Sequence, residues 1–126
     1  MRPKSATLTD QELEIMKIVW DRNEATVRDV YEALLQKRKV AYTTVMTMMN
    51  ILEQKGHLRK TQEDRAYVYR STKPRNQVLR GMVREFVNRV FNGSAEPLLL
   101  HLVEDKKLSE KDIEEIRAMI RKERVK

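Results

Sequence analysis

The sequence contains no cysteine, which removes disulfides, thiolate metal sites, cysteine-ligated iron–sulfur clusters and cysteine nucleophiles from consideration. That absence fits a reducing cytoplasm. Only three glycines and three prolines punctuate 126 residues, and no internal repeat or low-complexity segment is present. The nearest approach to an apolar run, Pro97 to Val103, is far short of the roughly 18 residues a membrane span needs, and the N-terminus lacks an apolar signal core. A cytoplasmic chain is therefore expected. There is no glycine-rich phosphate loop, and Ser94 lacks a nucleophile-elbow setting. His57 and His101 are remote from each other and from any carboxylate spacing that would make a metal site or a general base. No enzyme activity, cofactor or metal is expected.

What is present is charge and aliphatic side chain. With 40% hydrophobic and 36% charged residues, the composition is that of a folded, helix-rich protein, long enough for one ordinary domain or a compact domain with a helical attachment. The net charge of +7 is unevenly placed. Residues 37–80 carry 11 basic and 3 acidic side chains, while residues 1–36 are net acidic and residues 81–126 nearly balanced. No acid occurs between Glu32 and Glu53. A basic surface confined to the middle third favours a polyanionic partner.

Thr9-Asp10-Gln11-Glu12 is a capping box, and Leu13, Met16, the Lys17 stem and Trp20 follow at helical spacing with Ile15, Ile18 and Val19, predicting a well-buried helix ending near Asp21. After a turn at Asn23-Glu24, Thr26 to Asp29 opens a second helix with Val27, Val30, Tyr31, Leu34 and Leu35 inward. A third helix is predicted from Tyr42 to Lys55, stopped by Gly56. At about 100° per residue, Val45, Met48, Met49 and Leu52 share its core face. Thr43, Thr47, Asn50 and Gln54 lie opposite, and Thr44, Met46 and Ile51 flank them. Leu58–Gln62, a turn at Glu63-Asp64 and the alternating Arg65–Ser71 predict a β-hairpin.

A fourth helix opens at Thr72 to Arg75, with Pro74 in its first turn, and runs to Asn92-Gly93. The apolar segment Pro97 to Val103 follows, and Ser109 to Asp112 caps a last helix. From Val78 to Val125 there are 19 large apolar side chains, too many for these helices to hide alone, so a C2 homodimer is expected. Phe86, Val90, Leu98, Leu99, Leu102, Ile116 and Ile120 are the candidate dimer contacts.

Three helices followed by a two-stranded wing, with a third helix free of acid on its hydroxyl-lined outer face, describe a winged helix-turn-helix. The fold class expected is mainly α with a small β wing, residues 1–73 forming the winged-helix domain and 74–126 a helical dimerisation domain. An α-helix fits the major groove of B-DNA, and threonines let the backbone come close while offering hydroxyls and methyls to the bases. The candidate DNA contacts are Tyr42, Thr43, Thr44, Thr47 and Asn50 with Lys39, Lys60 and Arg65. Lys37, Arg38, Lys55 and Arg59 are further phosphate partners. Trp20, Tyr67 and Tyr69 are expected to pack in the core or at the wing root, and the methionines, Met46, Met48 and Met49 included, to fill the core.

The segments Glu12 to Trp20, Ala41 to Leu52, Lys55-Gly56 and Asp64 to Tyr69, with Leu98 to Leu108 and Glu114 to Arg117, resemble the penicillinase repressor family of BlaI/MecI type. The resemblance spans nearly the whole chain. It implies a homodimeric bacterial repressor whose winged helices bind a dyad DNA operator of β-lactam-resistance or related stress genes, with Thr44 and Thr47 at base-contacting positions. Thr43 and Met46 stand where staphylococcal members carry basic residues. In members that answer β-lactams, a membrane sensor-protease system leads to cleavage at a bond that aligns with His101-Leu102 here. The copper-responsive branch senses metal through C-terminal cysteines, which this chain lacks. A winged-helix protein-interaction module and a small-molecule-sensing regulator remain the alternative readings.

Overall fold

A computed structural model describes residues 8–125. In chain order the elements are α1 (Asp10–Arg22), α2 (Val27–Leu35), α3 (Tyr42–Gln54), β1 (Leu58–Glu63), β2 (Ala66–Ser71), α4 (Arg75–Phe91), α5 (Glu96–Glu104) and α6 (Glu110–Val125). They form two compact units that meet in the sequence inside α4, between Met82 and Val83.

In the first unit both predicted N-caps are made. The Glu12 amide donates to Thr9 Oγ1 at 3.1 Å while the Thr9 amide donates to the Glu12 carboxylate at 2.9 Å. Thr26 and Asp29 exchange the same pair of bonds at 3.1 and 3.0 Å. Each box satisfies two amides that a bare helix end would leave to water. α1 runs one residue past the expected end, and Asn23 then turns the chain with φ 70°, a conformation asparagine accepts more readily than most residues.

The core is built from Ile15, Met16 and Val19 of α1, Val30 and Leu34 of α2, Val45, Met49 and Leu52 of α3 and Leu58 of β1, all essentially excluded from water. At about 25 cal/mol per Å² of apolar surface, nine such side chains supply the main drive for collapse. Two side chains expected inside are exposed. Leu35 lies about 100° round the helix from Leu34 and is 42% exposed, and Lys17 is exposed as well.

α3 ends at Gln54, with Lys55 as its last half-turn and Gly56 at φ 87°, where a β-carbon would be strained. β1 and β2 pair antiparallel from Leu58↔Ser71 to Glu63↔Ala66, so the turn is Asp64-Arg65, one residue later than predicted, with Asp64 at φ 57°. Arg65 therefore sits at the wing tip and not in the second strand. Tyr69 also bridges Ala25, which donates to its carbonyl at 3.0 Å and accepts from its amide at 2.8 Å. The α1–α2 connection, predicted as a plain turn, is thus a one-residue strand covering the wing's inner edge. That extra contact explains why adjacent Val68 and Tyr69 are both buried, against strict alternation.

Pro74 precedes α4, its carbonyl accepting from the amides of Gln77 and Val78 at 3.1 and 3.3 Å, and the first turns of α4 bring Val78 and Met82 onto the core. In the second unit, Pro97 sits in the first turn of α5, and Ser109 and Asp112 cap α6 by reciprocal bonds of 3.1 and 3.0 Å. Phe86 and Phe91 meet edge to face at 5.9 Å, and the His101 ring lies 6.1 Å from Phe91. α5 buries no residue, and Leu99, Leu100 and Val103 face an open apolar groove with Leu108, Ile113 and Ile116. The mainly helical fold class with a small wing is the one expected.

Candidate nucleic-acid interface

The outward face of α3 follows from which of its residues the core takes. Val45, Met49 and Leu52 point inward with Met48 beside them, which leaves Thr43, Thr44 and Thr47 in solvent. Their hydroxyls have no partner among the described residues. Tyr42 is 40% exposed, its ring edge-on to Tyr31 at 5.3 Å and 76°. It is thereby held at the start of α3, where Ala41 provides no side-chain cap.

Asn50 departs from that set. Its side chain is half-buried, and its Oδ1 accepts the Tyr69 hydroxyl at 3.0 Å, tying α3 to the wing. Burial pushes the Tyr69 phenol above its usual range, so it stays a donor. Tyr67, expected at the wing root, is 49% exposed, with Lys60 Nζ 4.6 Å above its ring. Met46, expected as core filler, is 40% exposed and lines an open groove between α3 and the wing together with Tyr42, Asn50, Arg65, Tyr67 and Arg28 of α2. Sequence reasoning missed Arg28 as a groove residue. Its place on the polar side of α2 was legible, but the groove exists only once the wing folds back.

The basic middle third divides into committed and free charges. Lys55 gives both its short bonds to Glu12, at 2.9 and 3.0 Å, and Arg38 is bonded to Glu14 of α1. Lys60 lies 3.7 Å from Glu53. Arg70 joins Glu24 and Glu63, each at 2.9 Å, and Thr61 at 2.9 Å; these bonds hold the Glu63 carboxyl below its usual range and raise the guanidinium. Lys37, Lys39, Arg59 and Arg65 are exposed and have no acidic partner among the described residues. Lys55, expected to hold a phosphate, is half-buried and paired with Glu12, and Lys60 is shared between Glu53 and Tyr67.

An acid-free, hydroxyl-lined helix face flanked by uncommitted cations can accept a duplex edge and its phosphates. Among the described residues no three His, Asp or Glu side chains gather as metal ligands, and no helix is long and apolar enough to cross a membrane. Residues 8–122 match the penicillinase repressor family. The chain belongs to that family. Its penicillinase repressor relatives include the transcriptional regulator BlaI of Mycobacterium tuberculosis, 38% identical over 103 residues, 80% of this chain and 75% of that protein. The methicillin resistance regulatory protein MecI of Mammaliicoccus sciuri is 26% identical over 122 residues, 97% of this chain and 99% of that protein. The solution structure of the DNA binding domain of the repressor BlaI superposes with a TM-score of 0.52 at 28% identity, covering 59% of this chain and 90% of that one.

Proposed function

We propose that this chain is a transcriptional repressor that acts as a homodimer, binding an inverted-repeat operator in duplex DNA through the major groove. Residues 1–73, with the first turns of α4 that pack on the same core, are taken as the DNA-binding part, and the remainder of residues 74–126 as the dimerisation part. The controlled genes are those of β-lactam resistance or a related stress response. The observation that carries the reading is the exposed face of α3, where Thr43, Thr44 and Thr47 are unpartnered among the described residues and Lys37, Lys39 and Arg65 are free of acids. Membership of the penicillinase repressor family supports it, as do the names borne by the mycobacterial and staphylococcal-type relatives.

In the proposed complex α3 enters the groove. Lys39 holds phosphate near the start of α3 and Arg65 at the wing tip, while Lys60, held between Glu53 and Tyr67, reaches a phosphate only by leaving Glu53. Asn50, bonded to Tyr69, acts on the DNA through the wing's position, and Tyr42 borders the groove. Phe86, Val90, Leu98, Leu99, Leu102, Ile116 and Ile120 bury their apolar surface against a second copy, and two-fold symmetry then demands half-sites about one helical turn apart or a multiple of it. Repression follows from occupancy of the promoter. For a sensor-protease acting at His101-Leu102, the bond lies within α5 with Leu102 half-buried, so that helix must open before cleavage.

The test is a titration of the full chain against duplexes recovered from the source genome, at several salt concentrations. Log affinity falls linearly with log salt, and duplexes with a dyad bind more tightly than those without. Binding indifferent to ionic strength would overturn the proposal.

A further inference from the structure

Three large apolar side chains of α3 stay exposed, Tyr42, Met46 and Ile51, and of these Met46 lies at the middle of the face that borders the wing. Met46 is 40% exposed. It lies four residues from Tyr42 and from Asn50, so the three form one row along the helix. That row borders the groove closed on its other side by Tyr67 and Arg65 of the wing, with Arg28 at its end. A thioether in water on a face otherwise made of threonine hydroxyls gains nothing for the folded chain. The neighbouring polar position is already occupied, because Asn50 Oδ1 accepts from Tyr69. A half-buried amide with its carbonyl engaged is poorly placed to form the bidentate bond by which asparagine reads adenine. Tyr42 is packed edge-on against Tyr31 at the start of the row, so the side chain at its middle with free surface to offer a base is the apolar Met46.

Base edges in the major groove present one prominent apolar group, the C5 methyl of thymine. The cations at the rim, Arg65, which has no acidic partner among the described residues, and Arg28, exposed and 3.9 Å from Glu32 of its own helix, suit flanking phosphates and favour a polyanion in the groove. Resting on the DNA-binding reading above, we propose that Met46 is a specificity-determining residue that recognises a thymine methyl in each half-site by apolar contact. Methionine suits this task, since its unbranched, polarizable chain adapts to a methyl whose position shifts with local DNA shape. Thr43 and Thr47, on one flank of Met46 round the helix, then supply the polar contacts beside it, and α3 favours an A·T-containing step where Met46 lies.

The experiment uses the full chain and a pool of random-sequence duplexes, from which bound molecules are selected and sequenced. In the preferred duplex each thymine is replaced in turn by uracil, which deletes only the methyl. At one symmetric pair of positions, uracil weakens the wild-type protein about three- to fivefold per half-site, as expected for losing one buried methyl contact. Met46→Ala binds the thymine and uracil duplexes equally at that position, while Met46→Leu keeps the discrimination. Unchanged circular dichroism and thermal midpoint show that Met46→Ala is folded, as its exposure predicts. If Met46→Ala shows the same uracil profile as the wild type, Met46 reads no methyl and the proposal falls with the DNA-binding reading intact. If no sequence is enriched and binding ignores salt, both fall together.

Discussion

Lys55 Nζ lies 2.9 and 3.0 Å from the two carboxylate oxygens of Glu12, joining the end of α3 to the first turn of α1. Glu12 is only 5% exposed and its carboxylate also accepts the Thr9 amide, so one side chain closes the α1 capping box and anchors α3. Burial alone pushes its pKa up. The Thr9 amide and the Lys55 charge outweigh burial and hold it below the ordinary 4.5.

Lys55→Met should therefore destabilise the protein by about 1–3 kcal/mol at pH 7, less than a fully buried pair because Lys55 retains some solvent contact. A depressed carboxyl contributes stability that is complete above its unfolded value and lost as pH falls through its folded one. The gap between wild type and variant in urea unfolding should shrink below pH 4.5. A gap independent of pH would refute the ion pair as its origin.

His57 carries the second acid-sensitive contribution. It is 7% exposed, and burial, then the nearby Lys55 charge, lowers its pKa below 6.5; Glu12 opposes this and Lys73 adds to it. A histidine lowered on folding binds more protons unfolded, so stability is complete above 6.5 and declines as pH drops below it. Proton NMR should show His57 titrating below 6.5, and His57→Gln should flatten the thermal midpoint between pH 7 and about 5. Titration at or above 6.5 would contradict the burial seen here.

Committed and free cations should separate in the salt dependence of DNA binding. Lys39→Ala and Arg65→Ala should each reduce the slope of log affinity against log salt by about 0.9, one phosphate contact apiece. Lys55→Met, whose charge is already neutralised by Glu12, should leave the slope unchanged. Equal slopes for all three variants would dissociate the free cations from the DNA.

Thr47→Glu places a carboxylate on the exposed face of α3 without touching the core. Operator affinity should fall by at least about 100-fold through like-charge repulsion, with the thermal midpoint preserved. Retained binding would remove Thr47 from the interface.

Leu99 and Ile116 border the same apolar groove, so Leu99→Glu with Ile116→Glu should convert a dimer to a monomer in sedimentation while leaving the first unit folded. The double variant should bind a half-site as well as a full dyad. A persistent dimer would place the two-fold contact elsewhere.

Much of this architecture is written in local pattern. The Thr9/Glu12 and Thr26/Asp29 boxes announce two helix starts because capping is decided within four residues. The inward face of α3 follows from the helical period, and the threonine face is its complement. What periodicity does not carry is the partner across space. The Ala25 bridge, the Tyr69–Asn50 bond and the pairing of Lys55 with Glu12 join residues distant in sequence. The last two altered a site assignment, taking Asn50 and Lys55 off the free surface. Tyr67 and Leu35 failed for a related reason. Alternation and helical spacing put them near a buried stripe, and the width of that stripe was set by how far neighbouring elements reach.

The Ala25–Tyr69 bridge also bears on how the first unit assembles. It staples chain positions about forty residues apart, and α3 with most of the wing lies inside the loop so formed. Closing that loop costs entropy that no single helix can offset, so α3 gains its native packing only together with both ends of the loop. Amide protons on the inner face of α3 should accordingly exchange with solvent only when the whole unit opens, making the groove-facing helix one of the last elements to melt.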